Sequence, residues 1–204
     1  MRKKIGIGCI LLGVLCLLIA VGFVIYNSAE AQNGETSAQA LLQNVQANIQ
    51  EAQQGSAAEE TWPVAIPEPV YREMATVPAG NYDSIGILSI PVLELELPVL
   101  ADWNYEKLKN APCHYFGSYY ESNFVIAAHN YVSHFGRLSQ LQPGDLVLFT
   151  DVTGEVYCYE VVLLETLPAT ATEEMITSGF DLTLYTCTPG GSNRVTVRCK
   201  AINE

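Results

Sequence analysis

Three short stretches carry side chains that could act together. Asp181-Leu-Thr-Leu-Tyr-Thr-Cys187 ends on a cysteine and runs into Thr188-Pro189-Gly190-Gly191. Asn123-Phe-Val-Ile-Ala-Ala-His129-Asn130-Tyr131 is an apolar run that delivers a histidine to its polar end. Asn193-Arg194-Val-Thr-Val-Arg198 begins on an arginine. A cysteine nucleophile needs a proton acceptor or an imidazolium partner, and acyl transfer needs a donor where the oxyanion develops. Cys187, His129 and Arg194 supply those three roles. Strand alternation puts Leu182, Leu184 and Thr186 on one face and Thr183, Tyr185 and Cys187 on the other, less apolar one. The competing reading makes Cys187 an ordinary core residue of a β-rich surface module or adhesin.

The elements that would hold these residues are strands. From Tyr82 onward, Ser84–Ile90, Leu95–Leu100, Phe124–Ala128, Leu146–Thr150, Glu155–Leu163, Leu182–Thr186 and Arg194–Ala201 are short β-branched or aromatic runs between turn residues. Asp151-Val152-Thr153-Gly154 reads as a hairpin turn, and short helical turns fit Tyr105–Asn110 and Thr172–Ser178. The texture predicts one mostly all-β domain, a barrel or sandwich. If the last two strands pair antiparallel, Cys187 lies opposite Arg194, Leu184 opposite Val197 and Leu182 opposite Cys199. A one-residue slip would expose the apolar positions, so alternation selects this register. Arg198 then sits opposite Thr183, four residues along or about 13 Å from the cysteine, in a solvated or salt-bridged position.

Ahead of the domain, Ile5 to Tyr26 is uncharged and long enough for a bilayer at ~1.5 Å per residue. Arg2, Lys3 and Lys4 precede it and no basic residue follows until Arg72, which predicts a cytoplasmic N-terminus and an extracellular domain. Cleavage near Ala29-Glu30-Ala31 is the alternative, but the apolar block exceeds a usual signal core. Residues 27–80 then read as a stalk. Leu41, Leu42, Val45 and Ile49 recur at helical spacing, Thr36-Ser37-Ala38-Gln39 resembles a capping box, Gly55 is a stop, and prolines follow. The division expected is a cytoplasmic stub at 1–4, an anchor at 5–26, a linker at 27–80 and a catalytic domain at 81–204.

From Asn27 onward seven basic residues face 22 acidic ones, a net of −15, which excludes nucleic acid as a natural partner. Cys113, Cys158, Cys187 and Cys199 lie in the exported part without any zinc-like Cys/His spacing, so no metal or other cofactor is expected. Cys113, Cys158 and Cys199 read as buried small hydrophobes, and His114 and His134 as structural or surface residues.

Thr183-Leu184-Tyr185-Thr186-Cys187 resembles the TLxTC signature of sortases, the Gram-positive transpeptidases that attach proteins to cell walls. Ile126-Ala127-Ala128-His129-Asn130 resembles the family's histidine segment, with Ala128 where glycine is usual. Gly144-Asp145 with Val147, Phe149 and Thr150 fits the following family strand. Ala111-Pro112-Cys113-His114-Tyr115 is similar to the upstream GPGHY-like stretch, with two departures. The resemblance covers Tyr82 to the C-terminus.

It implies an eight-stranded sortase-type β-barrel and a two-step reaction. Cys187 would attack the Thr–Gly carbonyl of an LPxTG-like sorting signal, and His129 would protonate the leaving amine. An amine of a cell-wall precursor or a pilin lysine would then resolve the thioacyl enzyme. Arg194 would stabilise the oxyanion or hold the substrate backbone, and Thr186 would lie near the substrate. Some class A members bind calcium through loop acids, but Asp102, Glu106, Glu173 and Glu174 read here as solvated charge. The anchor arrangement resembles class A or class D-like enzymes, with class B also open. An aspartate-aromatic lid motif and a second span after Arg198, usual in the pilus-polymerising class, are not seen. A different wall transpeptidase, of the L,D type, would carry a Ser/Thr-x-Gly-Cys context that TLYTC does not match.

Overall fold

The computed structural model describes residues 2–55 and 72–202, the side chains of 2–11 and 54–55 excepted. Of the expected proline segment, Pro63, Pro67 and Pro69 lie outside the described residues.

Among the described residues, nine strands form around the apolar alternation evident in the sequence. They are β1 (Val77–Ala79), β2 (Tyr82–Ile90), β3 (Leu95–Leu100), β4 (Cys113–Phe116), β5 (Phe124–Ala127), β6 (Leu146–Asp151), β7 (Val156–Pro168), β8 (Leu182–Cys187) and β9 (Asn193–Ala201). The sheet runs in the order β1-β2-β3-β4-β5-β8-β9-β7-β6, and a β2–β6 pairing closes β2 to β9 into an eight-stranded barrel. The short β1 adds a hairpin at β2 through Val77 opposite Ser84. Closure removes the sheet edges that an open sheet would expose. The interior is filled by Leu88, Phe124, Ile126, Phe149, Leu182, Leu184 and Val197, with Phe124 and Phe149 edge to face at 5.1 Å.

Barrel closure makes one glycine indispensable. β2 pairs with both β3 and β6, and a bulge between Ser84 and Gly86 turns the strand. Gly86 has φ 151°, and a Cβ there would lie 2.1 Å from the Thr150 carbonyl oxygen. The Ser84 hydroxyl fills the bulge by donating to the Val99 carbonyl at 2.9 Å. Gly86→Ala is therefore expected to destabilise the domain by about 3 kcal/mol or more, read as a thermal midpoint lower by about 10 °C.

The predicted turn after β6 forms as an Asx turn. Asp151 Oδ1 accepts from the Thr153 and Glu155 amides at 2.8 and 3.0 Å. Two short helices, α2 (Tyr105–Leu108) and α3 (Thr172–Ile176), lie where helical turns were expected. The strand β4 was not foreseen, because four residues after a proline carry too little periodicity. Cys158 is a correction: it is exposed, whereas Cys113 and Cys199 are buried. Its neighbours Tyr159 and Val161 face inward, so a position one residue before Tyr159 must point out.

The N-terminal helix α1 runs without interruption from Arg2 to Gly55. Its apolar part is the one helix, among the described residues, long and apolar enough to cross a membrane, with mean hydropathy 2.2. Thr36 does not cap a new helix; its hydroxyl donates to the Gln32 carbonyl one turn back at 3.0 Å. Of the segment expected as a stalk, the part from Gly34 to Ile49 packs on the barrel. Gly34, Ala38, Leu41, Val45 and Ile49 share one buried stripe at helical spacing. Leu41, Val45 and Ile49 join Ile87, Leu100, Leu108 and Cys113 in a second apolar cluster outside the barrel. Each such side chain contributes at most about 2 kcal/mol by leaving water. Asn48 ties the same face to β1 by donating to the Pro78 carbonyl at 2.8 Å.

Candidate active site

Three adjacent strands present the three expected residues in a row. β8 is flanked by β5 on one side and β9 on the other. In the antiparallel β8–β9 ladder Cys187 is directly opposite Arg194, Leu184 opposite Val197 and Leu182 opposite Cys199, the register that alternation demanded. Directly opposed residues project from the same face with Cβ atoms about 5 Å apart. β5 runs parallel to β8, with Ala127 level with Tyr185. The Ala128 amide still donates to the Tyr185 carbonyl at 3.2 Å, and the Thr186 hydroxyl donates to the Ala128 carbonyl at 2.8 Å. Continued two residues past the last ladder pair, Ala127 with Tyr185, the same register would bring His129 level with Cys187.

Cys187, His129 and Arg194 are all half-buried and share the lining of a groove of about 220 Å³. Tyr185, Tyr115, Trp103 and Tyr105 supply aromatic lining, and Pro168, Ala169, Thr172 and Met175 line it from the end of β7 and from α3. Tyr115 meets Tyr185 edge to face at 5.3 Å, and Trp103 packs on Tyr115 at the same distance. Among the described residues no carboxylate lines the groove, although the protein is acidic. The Leu167-Pro168-Ala169-Thr170 stretch is thus a wall: Leu167 and Pro168 pair with Arg194 and Asn193 of β9.

Arg194 is aimed by its own loop. One guanidinium nitrogen donates to the Gly191 carbonyl at 2.9 Å and to the Asn193 carbonyl at 3.1 Å. The Thr188 amide donates to the Asn193 carbonyl at 3.0 Å, which closes the turn between the cysteine and the arginine. Burial lowers the His129 pKa below 6.5, with the Glu30 carboxylate opposing and Lys109 adding to that effect. The imidazole is accordingly neutral at pH 7 and able to accept a proton.

The remaining candidates fall elsewhere. Thr186 is buried and faces away from the groove, its hydroxyl committed to Ala128. Arg198 is 2% exposed and binds Glu165 at 2.7 Å, the Thr183 hydroxyl at 3.0 Å and the Glu174 carbonyl at 2.8 Å. His114 spans the carbonyls of Ala101 and Gly117 at 3.1 and 2.8 Å. Asp102 and Glu106, weighed above as loop acids, pair with Lys107 and Lys109. Burial pushes the Cys113 and Cys199 thiols up to about 12, so both are inert at neutral pH. Cys158 is exposed, so thiol labelling of Cys187 requires a Cys158→Ala background.

His134 is fully buried, and burial lowers its pKa to about 4. Its unfolded-state pKa is near 6.5, so the unfolded chain binds the extra proton first as the pH falls. Stability is fully present above pH 6.5 and is lost between pH 6.5 and 4, by about 3 kcal/mol in all. His134→Gln should flatten that part of the stability–pH curve in denaturant titrations.

The comparisons with known proteins agree with this geometry. Residues 88–202 match the model of the sortase domain, and the chain belongs to the sortase family. It is similar to sortase C1 from Streptococcus suis, at 29% identity over 59% of this chain and 74% of that one, with a TM-score of 0.52. A Clostridium perfringens sortase D5 transpeptidase shares the fold at 19% identity, over 82% and 99% of the two chains, with a TM-score of 0.59. Listeria monocytogenes sortase A does so at 21% identity, over 59% and 88%, with a TM-score of 0.54. No curated protein sequence matches. The protein is a sortase-type cysteine transpeptidase, and the reading as a non-enzymatic adhesin is set aside.

Proposed function

We propose that Cys187, His129 and Arg194 perform acyl transfer on an LPxTG-like sorting signal at the outer face of the membrane. The observation that carries this reading is their alignment on three neighbouring strands at one groove. His129 accepts the Cys187 thiol proton, and the thiolate adds to the scissile carbonyl carbon. Arg194 donates to the oxyanion. As the C–N bond breaks, imidazolium returns its proton to the leaving amine, and a thioester remains on Cys187. An acceptor amine, from a cell-wall precursor or a pilin lysine, attacks that thioester and gives its proton to His129; the thiolate leaves. The aromatic lining of the groove, with no carboxylate among the described residues, suits an apolar Leu-Pro segment. Thr186 acts in this scheme through the Ala128 carbonyl, holding the strand end that carries His129.

The test is cleavage of a small library of LPxTG-like peptides, with mass spectrometry for the thioacyl enzyme. A peptide-sized adduct on Cys187 is expected; turnover without one, or with Cys187→Ala, overturns the scheme. The helix α1 serves as the anchor, its N-terminus cytoplasmic because Arg2, Lys3 and Lys4 precede the apolar block. Protease added to wall-less cells should remove the domain and leave the anchor with the membrane. A domain found free in the medium, beginning near Gln32, would instead show a cleaved leader.

A further inference from the structure

The anchor helix and the candidate catalytic histidine meet at one place. Gly34 of α1 is buried, and a Cβ there would lie 2.8 Å from the Lys109 carbonyl oxygen and 2.8 Å from Cε2 of Tyr131. The helix therefore touches the Tyr131 ring with bare backbone. The same ring stacks on His129, with centroids 4.8 Å apart and planes at 20°. Glu30, one helical turn before Gly34, faces the Tyr131 hydroxyl; burial and that carboxylate push the phenol up to about 12. The loop after His129 is also fixed to the helix, because the His134 Nε2 meets the Gly34 carbonyl at 3.3 Å. The backbone around the histidine is held as well: the Phe135 amide donates to the His129 carbonyl at 3.1 Å, and the Gly136 amide to the Tyr131 carbonyl at 2.8 Å. What remains free in His129 is rotation of the imidazole, and the Tyr131 stack is placed to stop it.

We propose that α1 is a positioning element of the active site: Gly34 and Glu30 seat the Tyr131 ring, whose stack fixes the His129 imidazole beside Cys187. Tyr131, Gly34 and Glu30 are positioning residues that touch no substrate. The groups facing His129 are Glu30 from α1, Lys109 after α2, Tyr131 and His134 from its own loop, and Cys187 and Arg194 from β8 and β9. Of these, Glu30 favours the imidazolium, whereas Lys109 and burial oppose it.

The proposal rests on the transpeptidase reading, but one of its two readouts does not need turnover. The full chain in detergent micelles is used throughout. Tyr131→Leu and Gly34→Ala should each lower kcat about tenfold or more, since a displacement on the order of 1 Å is that costly, while KM for the peptide stays within about twofold. Gly34→Ala is informative because alanine improves the helix itself, so a loss there is a loss of seating. Tyr131→Phe keeps the stack and should hold kcat within about threefold. In a Cys187→Ala background, the His129 C2–H resonance is titrated by NMR. Tyr131→Leu should move its pKa up toward 6.5, and Glu30→Gln should move it further down. A kcat within twofold for both Tyr131→Leu and Gly34→Ala, with a His129 titration that neither Tyr131→Leu nor Glu30→Gln moves, overturns the proposal. If the wild-type chain turns over no sorting peptide, the function proposed above fails instead, and the NMR titration still decides the stack.

Discussion

Cys187→Ala is expected to abolish acyl transfer, by about 10⁴-fold or more, with the thermal midpoint within a degree or two of wild type. The thiol is half-buried at the last position of β8, so its loss removes little packing, while the one thiol that lines the groove among the described residues disappears. His129→Ala should be comparably inactive, because no other base among the described residues lines the groove. The other thiols give the contrast. Cys158→Ala should be neutral, and Cys113→Ala and Cys199→Ala should keep activity at a cost in stability of about 1 kcal/mol, since both are fully buried. His114→Ala and His134→Ala should retain measurable turnover and lose stability. Full turnover by Cys187→Ala would move the chemistry to another residue.

The second large effect separates two arginines four residues apart. Arg194→Lys is expected to lower kcat about 10²-fold or more with little change in melting, because lysine keeps the charge but not the planar fork of donors. Arg198→Lys should do the reverse. Its guanidinium is buried and distributed over Glu165, Thr183 and the α3 carbonyls of Glu174 and Met175, and one ammonium cannot reproduce that geometry. A loss of about 3 kcal/mol, or a midpoint lower by about 10 °C, is expected, with activity per folded molecule largely kept. Kinetics and differential scanning calorimetry on the two variants decide the matter; exchanged results would mean that the β8–β9 register is not the one that builds the site.

That register was legible in the sequence because it is local. Only six residues separate Cys187 from Arg194 in the chain, and strand alternation penalises a slip by exposing Leu182 and Leu184 together. The apolar run ending on His129 and the uncharged N-terminal block were equally local signals. The buried state of Arg198 was not legible, since a strand pattern gives a face but not what α3 lays over it. Cys158 could have been placed outside by counting from Tyr159.

The sequence by itself therefore determined every strand but β1 and β4, the β8–β9 pairing that puts Cys187 beside Arg194, and the apolar segment able to span a bilayer. Tertiary structure alone decided that β5 lies parallel to β8 and delivers His129 to the groove that Cys187 lines. No short-range period encodes a parallel pairing across more than fifty intervening residues; it follows from closing the whole barrel. It also decided where the stripe of Leu41, Val45 and Ile49 goes. One apolar face at helical spacing satisfies a free-standing stalk, a partner or the barrel equally well. The choice is made by the complementary surface of Ile87, Leu100 and Cys113, and by a glycine at position 34 that lets the helix backbone reach Tyr131.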